Sequence, residues 1–301
     1  MAKKMAGEKP DTVLTLEQIK RIAVTAMFAD DDMFDNLVLK GGNALHLIHR
    51  LGSRYSLDLD FSMRHDWPED VETFCRRVEK TLDKTFRQNG YVVFDVKMEE
   101  KPKAISEDMA RFWGGYAVEF KLIPYAQYKE FEGDIGQLRN RAVSIGQGKK
   151  FLIDVSRFEY TEGKLQVELD GYRIFVYSLE MIVCEKLRAI CQQMPEYSSV
   201  IRRGRAGGAR ARDFVDIHVL ETELALDLTS EQTWETLAGM FDVKKVPLSL
   251  LGKIGEFREF HRADFPAVQA TVDPGTKLED FDFYFDFVLA LVAKLEPLWN
   301  K

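Results

Sequence analysis

The sequence predicts an α+β protein, with a mixed β-sheet and flanking helices followed by an all-helical C-terminal part. Three observations carry this expectation. Short apolar runs, one of them alternating strictly as Leu57-Asp-Leu-Asp-Phe61, recur between residues 36 and 177. From Ser178 onward nearly every segment repeats its apolar residues at helical spacing. The composition shifts near residue 178, with no internal repeat or low-complexity tract on either side. The expected division is 1–177 for the mixed part and 178–301 for a helical domain.

Each element has its own signal. Leu16, Ile19, Ile22, Ala23, Ala26 and Met27 mark a first helix, with Thr15 as its cap and Gln18 three residues on. Asn36 to Lys40 reads as a strand entering a tight turn at Gly41-Gly42, and a helix restarts over Asn43–Arg50. Leu57 to Phe61 is a strand by its period of two. Pro68 opens a long helix to about Gln88, closed by Asn89-Gly90. Strands follow at Tyr91–Val96, Tyr116–Leu122, Phe151–Val155 and Tyr172–Tyr177, with Tyr125 to Lys149 showing no clear period. Helices are expected at Leu179–Gln193, Ala211–Glu221, Glu231–Met240, Leu248–His261 and Leu278–Leu298, with Gln192 to Ala209 a loop.

Composition excludes several classes. Among 301 residues, 46% hydrophobic content suffices for a sizeable core, and the net charge of −7 rules out a globally basic nucleic-acid coat. An acidic total still permits a nucleic-acid enzyme, because binding depends on where the basic charge sits. No apolar run approaches the roughly 18 residues of a membrane span. No secretory signal is expected, because Lys3 and Lys4 have no apolar stretch behind them. Cys184 and Cys191 lie seven apart on one expected helix, roughly 10 Å along its axis, too far for a disulfide. A reduced, cytoplasmic protein is expected. The five histidines show no zinc spacing.

Chemistry concentrates between Lys40 and Phe61. Two glycines before a helix let backbone N–H groups approach a phosphate. Asp58 and Asp60, two apart on the expected strand, project to one face, where their repulsion is relieved by a cation between them. Oxygen ligands with a phosphate partner suit Mg²⁺. Alone, Gly-Gly is a turn and Asp-x-Asp a solvated strand; in this order they read as metal-assisted nucleotide transfer.

Leu39-Lys-Gly-Gly-Asn-Ala-Leu45 followed by Arg54-Tyr-Ser-Leu-Asp-Leu-Asp60 closely resembles the signature of AbiEii-type toxins of the nucleotidyltransferase superfamily. Glu185-Lys-Leu-Arg-Ala189 resembles that family's lysine helix motif, and Arg210-Ala-Arg-Asp-Phe-Val-Asp-Ile217 its Arg-x-x-Asp-x-x-Asp motif. The resemblance spans about residues 15 to 220. Two positions depart from it: Asn43 replaces the usual Ser or Thr, and Gln193 stands where an Arg is often found.

The resemblance implies a nucleotidyltransferase-type fold and a toxin of a type IV toxin–antitoxin system, a class tied to phage defence. It implies two Mg²⁺ ions on Asp58, Asp60 and a third carboxylate. Asp154 is favoured for that third place, with Glu119 its competitor. Gly41, Gly42 and Asn43 are expected to cradle the phosphates of a nucleoside triphosphate, with Arg54 and Ser56 supporting the strand. Lys186 is expected to contact the triphosphate, Asp213 to orient Lys186 or the nucleotide, and Asp216 to brace the fold. Arg202, Arg203, Arg205, Arg210 and Arg212 form a basic, glycine-rich segment suited to an RNA backbone. The implied acceptor is RNA, the 3′ end of tRNA first, and the implied partner an antitoxin encoded nearby that need not bind the toxin. Two rival readings are nucleotide transfer to a small molecule or protein, and a non-catalytic RNA- or partner-binding module.

Overall fold

The computed structural model describes residues 14–51, 58–144, 148–204, 207–224, 226–272 and 277–300. Helix α1 (Leu16–Met27) opens with a capping box: the Gln18 amide donates to Thr15 Oγ1 at 3.2 Å and the Thr15 amide to Gln18 Oε1 at 2.8 Å. Two amides without helical partners are thereby satisfied. Helix α2 (Asp31–Asn36), capped by Asp30, leads into the wholly buried strand β1 (Leu37–Lys40). Helix α3 (Gly41–Leu47) follows at once, so Gly41-Gly42 form its first residues rather than a separate turn. Strand β2 (Leu59–Met63) begins after Asp58. Asp60 is therefore on the strand, and Asp58, expected on it as well, is the residue just before it.

The mixed part continues with α4 (Val71–Arg87), β3 (Tyr91–Lys101), α5 (Glu107–Ala110), β4 (Gly115–Pro124), α6 (Tyr125–Glu130), α7 (Ile135–Arg141), β5 (Phe151–Ser156), β6 (Leu165–Leu169) and β7 (Tyr172–Val176). The aperiodic stretch from Tyr125 thus holds two short helices. They bury little besides Leu138, which packs with Ala142 on Val92, Phe94 and Ile123, so too few apolar residues repeat to show a period.

The helical part comprises α8 (Leu179–Cys191), α9 (Pro195–Val200), α10 (Ala211–Leu224), α11 (Glu231–Asp242), a 3₁₀ stretch Leu248–Phe257, α12 (Arg258–Arg262), α13 (Phe265–Gln269), α14 (Phe281–Lys294) and a final 3₁₀ turn Glu296–Leu298. Helix α9 lies within the expected loop, with Pro195 at its start, where a fixed φ and a missing N–H cost nothing. Among the described residues no helix is long and apolar enough to cross a membrane. Cys75, Cys184 and Cys191 are free thiols.

The described strands form one seven-stranded mixed sheet in the order β3-β4-β5-β2-β1-β7-β6. Strand β2 runs antiparallel to β1 and parallel to β5. Strand β4 runs antiparallel to β5 and to β3. The register pairs Lys40 with Asp60, Asp60 with Asp154, Asp154 with Ala117, and Gly115 with Lys101. Paired residues, and residues two apart on a strand, share a face. One face therefore carries a row from Lys40 through Asp60 and Asp154, across Ala117 and Gly115, to Lys101. The opposite face carries Phe61, Val118 and Ile153, all fully buried. One contiguous apolar core joins that face to Ile182, Leu187, Phe214, Phe241 and Phe285 of the helical part.

Candidate active site

The charged row opens into a cleft of about 830 Å³, whose other wall is built by α8 and α10. Asp60 and Asp154 stand side by side at its sheet wall. Burial pushes the Asp60 carboxyl up to about 6; Lys40 pulls it back, while Glu185, Asp154 and Asp58 push it further. The Asp58 carboxyl is raised as well, by burial and then by Asp154. Gly41, at φ +68°, lets the backbone pass this pair: a Cβ there would sit 2.7 Å from Asp60 Oδ2. Glu119 lies two pairs further along, opposite Leu152, and accepts from Lys150 at 2.6 Å. The register thus sets Asp154, not Glu119, next to Asp60.

These donors fit a hard divalent cation in kind, Asp60 and Asp154 being carboxylates held side by side by the sheet. Among the described residues, no three His, Cys, Asp or Glu side chains converge closely enough to hold an ion as they stand. Asp154 is instead met by Lys101, whose Nζ donates to its Oδ1 at 2.8 Å.

Asn43 does not face the cleft. It is fully buried, and its amide nitrogen donates to the Asp58 carbonyl, which ties α3 to the approach of β2. Among the described residues its Oδ1 has no partner. Gly41 and Gly42 do line the cleft. Arg54, Ser56 and Arg205 lie outside the described residues.

On the helical wall, Lys186 Nζ lies 3.0 Å from Asp213 Oδ1 and 2.8 Å from Asp216 Oδ2. Burial alone would lower this ammonium, but Asp213 and Asp216 outweigh it and hold it above its ordinary range. Asp213 also accepts from Arg210 Nε, and despite burial these two cations keep its carboxyl well below the usual range. Asp213 and Asp216 thus both pair with the Lys186 ammonium, where the resemblance implied an orienting role for the first and a bracing role for the second.

The remaining arginines do not act as one set. Arg202 meets Asp108 at 3.3 Å on the surface. Arg203 staples its own loop, donating to the Gln192 carbonyl at 3.1 Å and Ser198 Oγ at 3.2 Å. Arg210 and Arg212 line the cleft, and Arg212 is exposed.

Sequence reasoning missed the cleft floor. Lys40 Nζ lies 2.7 Å from Glu185 Oε1 and 3.7 Å from Glu159 Oε1. Arg188 binds Glu159 at 2.7 Å and Lys244 lies 3.4 Å from it. Burial would raise the Glu159 carboxyl, yet Arg188, Lys244 and Lys40 hold it below the usual range. Glu185 and Arg188 flank the motif lysine, a signal that could have found them. Glu159 and Lys244 belong to no motif, and only the fold brings them together.

The chain is similar to one described family and to several solved structures. The family model described as nucleotidyl transferase AbiEii toxin, type IV TA system, matches residues 23–287. Among solved structures, JHP933 from Helicobacter pylori is 18% identical, with a TM-score of 0.47, covering 93% of this chain and 92% of its own. MenT4, a nucleotidyltransferase toxin from Mycobacterium tuberculosis, is 13% identical, with a TM-score of 0.43, covering 95% and 87%. No curated protein matches the chain.

Proposed function

The chain belongs to the AbiEii nucleotidyltransferase toxin family, and from that premise we propose that it transfers a nucleoside monophosphate from a nucleoside triphosphate to RNA, first of all to the 3′ end of tRNA. The observation that carries this reading is the cleft itself. Asp60 and Asp154 are paired in register on one wall, and Lys186, fixed by Asp213 and Asp216, stands on the other. In the reaction, an acceptor hydroxyl releases its proton to solvent as its oxygen bonds to the α-phosphorus, the bond from that phosphorus to the bridging oxygen of the β-phosphate breaks, and pyrophosphate leaves. Two magnesium ions, when bound by Asp58, Asp60 and Asp154, supply the positive charge for that displacement.

The chain's own residues do the rest. Gly41 and Gly42 bring backbone against the phosphates beside Asp60. Lys186 offers its ammonium to the triphosphate from a fixed position, and Arg210 and Arg212 extend the positive wall. The helical part, residues 178–301, closes the cleft over the nucleotide. RNA reaches it along the Arg212 side, where a cation is exposed. Family membership also implies an antitoxin encoded nearby.

Labelled nucleoside triphosphates, offered one at a time with Mg²⁺ and total tRNA, test the reading against an Asp60→Ala control. Label in RNA with the wild type alone supports it and names the nucleotide. Label in protein, or in small molecules added from lysate, moves the acceptor elsewhere. No label anywhere overturns the reading.

A further inference from the structure

The row on the cleft face ends in a lysine on both sides, and the two lysines differ. Lys40 is buried, and Glu185 at 2.7 Å with Glu159 at 3.7 Å bind it into the floor. Removing either carboxylate from such an enclosed cation carries a large desolvation penalty, so Lys40 stays where it is. Lys101 is different. Its side chain is 55% exposed, and its ion pair among the described residues is with Asp154, itself 35% exposed. A pair this open is worth about 1 kcal/mol or less and breaks readily.

Its reach depends on the strand in between. Lys101 is on β3, Asp154 on β5, and β4 separates them. On this face β4 offers Gly115 opposite Lys101 and Ala117 opposite Asp154. No long side chain blocks the path. Gly115 cannot be enlarged, since a Cβ there would lie 2.1 Å from the Val155 carbonyl oxygen. The lysine stem therefore lies across two small residues, and its ammonium arrives on the carboxylate next to Asp60.

We infer that Lys101 is the resident counter-ion of the carboxylate row, occupying Asp154 until a divalent cation displaces it. The inference rests on the proposed metal-binding role of Asp60 and Asp154. Lys101 thereby weakens metal binding in the empty cleft, and it keeps the row from standing unpaired between turnovers. It is a positioning residue, acting on the cation site through Asp154.

Mn²⁺ binding to the full-length protein without nucleotide, followed by the paramagnetic resonance signal of free Mn²⁺, tests this without any activity readout. Lys101→Met should bind Mn²⁺ about twofold to fivefold more tightly than wild type, the range an exposed pair commands. That gain should vanish when Asp154→Asn is present in both proteins, since the competition runs through that carboxylate. Equal or weaker binding by Lys101→Met, with binding lost in Asp60→Asn, overturns the role of Lys101 while the metal site stands. A gain that survives in the Asp154→Asn background overturns it too, leaving only a general charge effect. Absence of Mn²⁺ binding in both wild type and Lys101→Met removes the metal reading and this inference with it.

Discussion

Asp60 and Asp154 are direct partners across the parallel pair β2–β5, so the sheet itself holds two carboxylates together at the cleft. Burial first, and then Glu185, Asp154 and Asp58 against the pull of Lys40, raises the Asp60 carboxyl to about 6. An acid whose pKa is higher in the folded than in the unfolded state loses stability as pH rises from about 4 through 6.

Asp60→Asn is therefore expected to act in opposite directions on activity and stability. Nucleotide transfer should fall by about 100-fold or more, because the proposed function makes Asp60 a charged ligand of the reacting centre. Without metal, the variant should be more stable than wild type above pH 6, by about 1 kcal/mol after solvent screening. Chemical denaturation at pH 4 and pH 7, with chelator present, checks the second part: the two proteins should differ at pH 7 and converge at pH 4.

Asp213 and Asp216 both hold Lys186, yet their replacement should not be equivalent. Asp213 is buried and answers two cations, Lys186 and Arg210. Asp213→Asn leaves both less compensated in a closed setting and should cost about 3 kcal/mol. Asp216 is more exposed than Asp213; it pairs with Lys186 at 2.8 Å and acts on Arg210 through longer-range charge. Asp216→Asn should cost about 1 kcal/mol. Urea unfolding of both variants decides the ranking, and equal losses would mean that the lysine is held by packing instead.

The fold was legible where local chemistry is strong. Thr15 and Gln18 announced α1, and the period-two runs announced the strands that form the sheet core. Weak local signals misled: α9 was hidden by serines, and β6, with Leu165 and Glu168 exposed, buries too little to alternate clearly. For the site, the paired acids and the lysine motif were visible, but Asp58 lies one residue short of the strand that spacing assigned to it. The floor was illegible because Glu159 and Lys244 are 85 positions apart and meet only when the helical part packs on the sheet. Register, which no spacing within one strand reveals, is what sets Asp154 beside Asp60 and Lys101 beyond it.

Gly41→Ala should separate folding from chemistry. A φ of +68° costs a non-glycine residue about 1 kcal/mol or slightly more. The added Cβ would also meet Asp60 Oδ2 at 2.7 Å, and the carboxylate must turn away. Loss of activity well beyond what the modest drop in melting temperature explains, with unchanged circular dichroism, is the expected pattern. Full activity would show that Asp60 is free to move without consequence.

Lys244 gives the cleft floor a signature in pH. Its ammonium is enclosed, donating to the Arg157 carbonyl at 2.6 Å and lying 3.4 Å from Glu159. Burial lowers it to about 8; Glu159 pulls it back up, and Arg188 and Lys40 push it down. Three cations thus share two carboxylates, Glu159 and Glu185, and Lys244 is the one whose burial they do not offset. A lysine lowered on folding destabilises the folded state at every pH below about 8, and the penalty is relieved as pH rises from 8 towards 10.5. Other groups oppose this at high pH: the buried thiols of Cys184 and Cys191 are raised, which removes stability above about 9. The comparison with Lys244→Met isolates the lysine, since those groups are common to both proteins. Wild type should gain on the variant between pH 8 and 10.5 by about 3 kcal/mol at most, the size that 2.5 units of pH imply. A difference in unfolding free energy that stays flat across this window would mean that Lys244 keeps its proton, and that Glu159 and the Arg157 carbonyl compensate the burial in full.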